Sequence, residues 1–109
     1  MIKQYTKDWL THRSTLYILL EDNEIIGSVE VEHGNDYNRF HSFYIQDDKR
    51  HQGYGDMVLK HVLNDIKDII SLTVDKDNEN AIRLYKKHGF DFIYGFEVDN
   101  ENLIWMENK

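Results

Sequence analysis

Alternating apolar and polar positions fill the first half of the chain, and a helical period replaces them after residue 54. Residues 15–21, TLYILLE, are rich in β-formers and read as a strand. EDNE then turns the chain. In IIGSVEVEH, residues 25–33, Ile25, Gly27, Val29 and Val31 alternate with Ser28, Glu30 and Glu32, which predicts a strand with one buried face. GNDYN is the next turn, and RFHSFYIQ, residues 39–46, is a third, aromatic strand. Past the loop DDKRHQGYG, Val58, Leu59, Val62, Leu63 and Ile66 make one stripe, with Asp56, Lys60, Asn64 and Lys67 opposite. That spacing predicts an amphipathic helix over 54–67. IISLTV, residues 69–74, is a short apolar strand. Asp77 or Asn78 can cap a second helix over 79–88, with Ala81, Ile82, Leu84 and Tyr85 inward and Gly89 just past its end. FDFIYGFEV, 90–98, and NLIWME, 102–107, read as a hairpin around DNE. Residues 1–14 are mixed and fit a short strand or a helical turn.

A helix between the strands at 39–46 and 69–74 makes that pair parallel and its crossover right-handed. The fold class is therefore α+β, a mixed antiparallel and parallel central sheet with flanking helices. At 109 residues the chain is one domain, with no proline, repeat or Gly/Ser-rich linker to divide it.

The absence of cysteine excludes a disulfide framework and a thiolate site. No apolar run is long enough to cross a bilayer, and residues 1–14 are too polar for a signal peptide, so no membrane role and a cytoplasmic location are expected. The net charge of −7 argues against nucleic-acid binding and suits a cationic substrate as well as simple solubility. Six histidines include no H-x-x-x-H pair, and no metal site is expected. DKDNEN, 75–80, opens like a calcium loop but has Asn80 where glycine is required and Lys86 where glutamate is.

Two of the six glycines, Gly53 and Gly55, stand where the first helix begins. Glycine lets backbone approach a ligand closely, and a helix start offers unpaired N–H groups and the positive end of the dipole. The pair suggests an anion cradle. A dinucleotide or kinase loop would need a third glycine where Val58 stands, and the Gly-Lys-Ser/Thr of a Walker loop is absent. What fits is R/Q-x-x-G-x-G/A over Arg50, His51, Gln52, Gly53, Tyr54 and Gly55. It is followed by N-x-x-A-x-x-L-Y-x-x-x-G-F from Asn78 to Phe90.

These two segments, in this order and on these elements, resemble the GNAT superfamily of N-acetyltransferases. The resemblance covers residues 25–107 and fades before residue 15. It implies acetyl-CoA as co-substrate, with its pyrophosphate on the amides of residues 50–55 and its pantetheine arm along Phe43, Tyr44 and Ile45. It implies that Tyr85 protonates the departing sulfur and that Asn78 contacts the cofactor. The implied reaction is direct attack of a primary amine in a ternary complex. A second reading is a domain that binds acyl-CoA and catalyses little, serving as a sensor or interaction module.

The general base is where the resemblance breaks. Many relatives carry a glutamate at the position of Arg39, and a guanidinium cannot serve as a base. His41 has the same strand parity, and imidazole exchanges protons near neutral pH. Glu30 and Glu32 on the neighbouring strand are further candidates. Relatives also place helices between their first two strands, for which the fourteen residues before TLYILLE are too few. An open acceptor side suits an amine on a protein or another cationic molecule. It also suits a homodimer, for which the aromatics Phe90, Phe92, Tyr94, Phe96 and Trp105 offer a surface.

Overall fold

The computed structural model describes residues 1–10, 12–93 and 102–108. Strands β1 (Ile2–Asp8), β2 (Arg13–Glu21), β3 (Glu24–His33) and β4 (Asn38–Ile45) run as an antiparallel meander. A 3-10 turn, Asp47–Lys49, leads into helix α1 (Tyr54–Asp65), then β5 (Ile70–Asp75), α2 (Glu79–Lys87), β6 (Phe90–Phe92) and β7 (Leu103–Asn108). The seven strands form one sheet in the order β1-β2-β3-β4-β5-β7-β6. Among the described residues no helix is long and apolar enough to cross a membrane.

The mixed N-terminal segment resolves as a strand. β1 pairs antiparallel with β2 from Ile2 opposite Leu19 to Asp8 opposite Arg13. The turn residues of the C-terminal hairpin, with Tyr94 and Phe96, lie outside the described residues. Its flanking strands pair antiparallel, Phe90 opposite Asn108 and Phe92 opposite Met106. Phe90 is 2% exposed and belongs to the core, so it is not part of the exposed aromatic surface expected for a dimer.

One face of the sheet carries the core. Tyr17, Val29, Val31 and Phe40 are buried there and are joined by Val58, Leu59 and Val62 from the stripe of α1. Tyr17 ties the two layers by donating from Oη to Asp65 Oδ2 at 2.5 Å. On α2, Tyr85 packs its ring against Phe40, Phe43 and Phe90 at centroid distances of 6.4, 6.1 and 5.7 Å. Both helices therefore lie on the same face. Among the described residues no helix covers the other.

Two bulges correct the alternation read from sequence. The β2–β3 register shifts at Leu19/Leu20, which turns Ile26 inward at 1% exposure and leaves Ile25 outside at 52%. An extra residue in one strand reverses which parity is buried beyond it. On β4, Phe40 stands opposite Val31 and Ser42 opposite Glu30, so His41 is the inserted residue. Phe40 and Phe43, of opposite parity, come to share the core face.

Candidate active site

β4 and β5 are parallel but pair only at Asn38–Ile70 and Arg39–Ser71. β4 stays on β3 and β5 stays on β7, so the strands diverge beyond Arg39. The gap opens toward the start of α1 and the inner side of α2. It forms a cleft of about 640 Å³ whose walls include Phe43 and Ile45 of β4, Thr73 and Asp75 of β5, and Ala81 and Tyr85 of α2.

The floor is the loop into α1. His51 has φ 63° and Gly53 φ 87°, the left-handed region in which glycine is at ease and other residues are strained. Gly53 is the N-cap of α1 and supplies no side-chain cap, and the first helical bond runs from Met57 N–H to the Gly53 carbonyl at 3.1 Å. The amides before Met57 are thus the unpaired donors of a helix start, at the positive end of its dipole. A Cβ on Gly53 would meet nothing within 4 Å, so conformation is what requires glycine there. Gly55 differs: a Cβ would come 3.1 Å from Leu84 Cδ2, so its bareness lets α1 and α2 approach.

Charge follows the same layout. In a chain of net charge −7, the cleft wall gathers Lys49, Arg50, Arg83 and Lys87. Arg50 is braced, donating from Nε to the Ile45 carbonyl at 3.0 Å and pairing with Asp47 at 3.0 Å. Asp56, in the first turn of α1, accepts from His88 Nε2 at 2.8 Å and pairs with Lys87 Nζ at 3.0 Å. These contacts, that with His88 first, hold its carboxyl below the ordinary carboxylate range.

Tyr85 is 7% exposed and lines the cleft, and its hydroxyl makes no hydrogen bond among the described residues. Burial pushes its phenol up to about 12, so it holds its proton at neutral pH. The hydroxyl is not sealed in the core: it opens onto the cleft.

Asn78 lines the cleft and also caps α2, accepting from Ala81 N–H at 3.2 Å. Phe43, Ile45, Arg50, His51, Gly53, Gly55 and Tyr85 line the same cleft. The side chains of Tyr44, Gln52 and Tyr54 do not. Tyr44 is half exposed, Gln52 donates back to the Asp48 carbonyl, and Tyr54 reaches Glu21 Oε2 at 2.6 Å. His41 is exposed on the helix-free face and lines a smaller cavity with Trp9, His12, Ser14, Glu30 and Glu32. Sequence reading missed Trp9, His12 and Ser14, because the strand register that unites them is non-local. It also missed the cleft-wall cations Arg83 and Lys87, although both share α2 with Tyr85.

Comparison with known proteins bears on the fold and the family. The chain is similar in fold to the PaiA N-acetyltransferase of Thermoplasma acidophilum in complex with coenzyme A. There the TM-score is 0.76 at 20% identity, over 88% of this chain and 60% of that one. It is similar to the ribosomal-protein-S18-alanine N-acetyltransferase of Escherichia coli, with TM-score 0.76 at 19% identity over 93% and 70%. A third is a GNAT family acetyltransferase from Elizabethkingia anophelis with acetyl-CoA bound, TM-score 0.73 at 19% identity over 88% and 76%. No curated protein matches. Residues 2–90 match the acetyltransferase (GNAT) family, and the chain belongs to it.

Proposed function

We propose that the chain transfers an acetyl group from acetyl-CoA to a primary amine. The observation that carries this reading is the divergence of β4 from β5 above the uncapped start of α1, with the unpartnered Tyr85 hydroxyl on its wall. Acetyl-CoA supplies an activated thioester when bound. The residues fit such a group. Unpaired amides at the start of α1, with Lys49, Arg50, Arg83 and Lys87 around them, suit a diphosphate. The edge of β4 left unpaired by β5 suits an extended, amide-bearing arm, which can add as a strand. Phe43 and Ile45 give that arm an apolar wall.

Tyr85 donates its proton at the sulfur side. A phenol held near 12 is fully protonated at neutral pH and can donate a hydrogen bond to a developing thiolate. His41, on the helix-free face, accepts a proton from the acceptor's ammonium, leaving the amine lone pair free to attack. A main-chain N–H at the β4 edge steadies negative charge on the carbonyl oxygen.

Thiol release from acetyl-CoA, measured against butylamine, polyamines, amino acids and basic peptides, tests the reading. Amine-dependent release is the expected result. Cofactor binding with no release against any amine would leave an acyl-CoA-binding module instead.

A further inference from the structure

The helix-free face has a built pocket of its own. Trp9 N–H donates to the His12 carbonyl at 2.7 Å, which closes the β1–β2 turn. The Trp9 and His12 rings stack 5.9 Å apart, and His12 Nε2 lies 3.6 Å from Glu32 Oε1. The turn thus leans over β3. Ser14 stands opposite Glu32 and Leu16 opposite Glu30, so these side chains share one face. Trp9, His12, Ser14, Glu30, Glu32 and the bulged His41 line an open cavity of about 300 Å³.

We propose that this cavity is the acceptor subsite, that it takes a compact aliphatic ammonium with no carboxylate beside it, and that Glu30 selects that cation. The proposal rests on reading the chain as an acetyl-CoA-dependent transferase.

The two carboxylates differ in engagement. Glu32 accepts from Tyr37 Oη at 2.9 Å and faces His12. Glu30 is half-buried, and its side chain makes no hydrogen bond or ion pair among the described residues. A carboxylate that has lost part of its water without gaining a partner is a site for a cation. Ser14 is an independent sign. It is 6% exposed and lines the same cavity, and its hydroxyl has no hydrogen-bond partner among the described residues. An ammonium has three donors and can meet both oxygens at once. A carboxylate on the ligand would face two like charges. Arg39, which could have offset them, is stacked between the rings of Tyr37 and Trp105 at 5.0 Å from each and lies outside the cavity.

The test needs no turnover. Butylammonium is titrated into the full chain at low salt, without cofactor, while the Trp9 indole N–H is followed by two-dimensional NMR and assigned with Trp9→Phe. The expected result is a saturable shift, weakened about tenfold in Glu30→Gln and less than about twofold in Glu32→Gln. 4-Aminobutanoate, the same amine with a carboxylate, should bind at least about fivefold more weakly. No saturable shift, an unchanged shift in Glu30→Gln, or equal losses in both variants would overturn the proposal. The thermal shift given by acetyl-CoA, measured in parallel, separates the two readings. Stabilisation by acetyl-CoA without butylammonium binding overturns the subsite alone, and no stabilisation overturns the transferase reading.

Discussion

The two faces of the sheet are made by alternate residues of the same strands and have opposite characters. On the helix side, Tyr17, Leu19, Val29 and Val31 are at most 1% exposed and meet the stripe of α1. On the other side, Tyr5, Leu16 and Tyr44 are 55%, 37% and 50% exposed, and Glu30, Glu32 and His41 line a cavity. Side chains alternate across a strand, so one set of positions can be held to packing while the next is free to carry chemistry. The cleft between β4 and β5 lies where these two regimes meet, with Tyr85 reaching it from the packed side and His41 lying on the open one.

The largest expected effect falls on that boundary. Tyr85→Phe keeps the ring against Phe40 and Phe90 and removes only the hydroxyl. Turnover in the thiol-release assay should fall by about 10²–10⁴ while cofactor affinity holds. Unchanged turnover would return Tyr85 to the packed side. The raised phenol also sets a sign for stability. Its contribution is present below about pH 10 and is lost as pH rises toward 12, and Tyr85→Phe should flatten that loss.

Next comes the contrast in packing. Leu59 is 0% exposed, and Leu59→Ala should cost about 2–5 kcal/mol in urea unfolding. Leu16, on the open face, is 37% exposed, and Leu16→Ala should cost under about 1 kcal/mol. Equal costs would mean that the open face is buried in solution, and a doubled mass in light scattering would then assign the cover to a second copy.

Local chemistry was legible in the sequence and register was not. Asn78 as a cap, Gly89 at φ 94° beyond α2, and Gly53 at a helix start each follow from one residue and its neighbours. The parallel pairing of β4 with β5 followed from the helix between them. Ile25 was misread because a bulge at Leu19/Leu20 shifts the pairing, and no single-strand alternation reveals an inserted residue. Gly55 was legible as an approach point, but the contact with Leu84 that also requires it needs the packing of two helices. His12 reaches Glu32, with Trp9 stacked on it, only because a turn folds over a sheet, so their spacing in the chain carries no signal.

The smallest effect belongs to the ion cluster that joins α1 to α2. Asp56→Asn should cost a few tenths of a kcal/mol near neutral pH, since the group is 37% exposed and screened. Its carboxyl is held below the ordinary range, so its contribution is present above about pH 4 and is lost as pH falls further. The gap between the unaltered chain and Asp56→Asn should therefore close in acid. A gap that persists at pH 2 would assign the cost to packing.

Calorimetric melting of the unaltered chain and of Gly53→Val, each with and without acetyl-CoA, tests the central claim most directly. A ligand at 100 times its dissociation constant contributes about 2.7 kcal/mol, which for a chain of this length raises the melting temperature by roughly 10–20 °C. The unaltered chain should show that rise. Gly53→Val forces a β-branched residue to φ 87° and should melt lower and lose the rise, because the amides of the loop no longer face the cleft. No rise in the unaltered chain at millimolar acetyl-CoA, or an equal rise in Gly53→Val, would contradict the assignment of the cleft above α1 as the cofactor site.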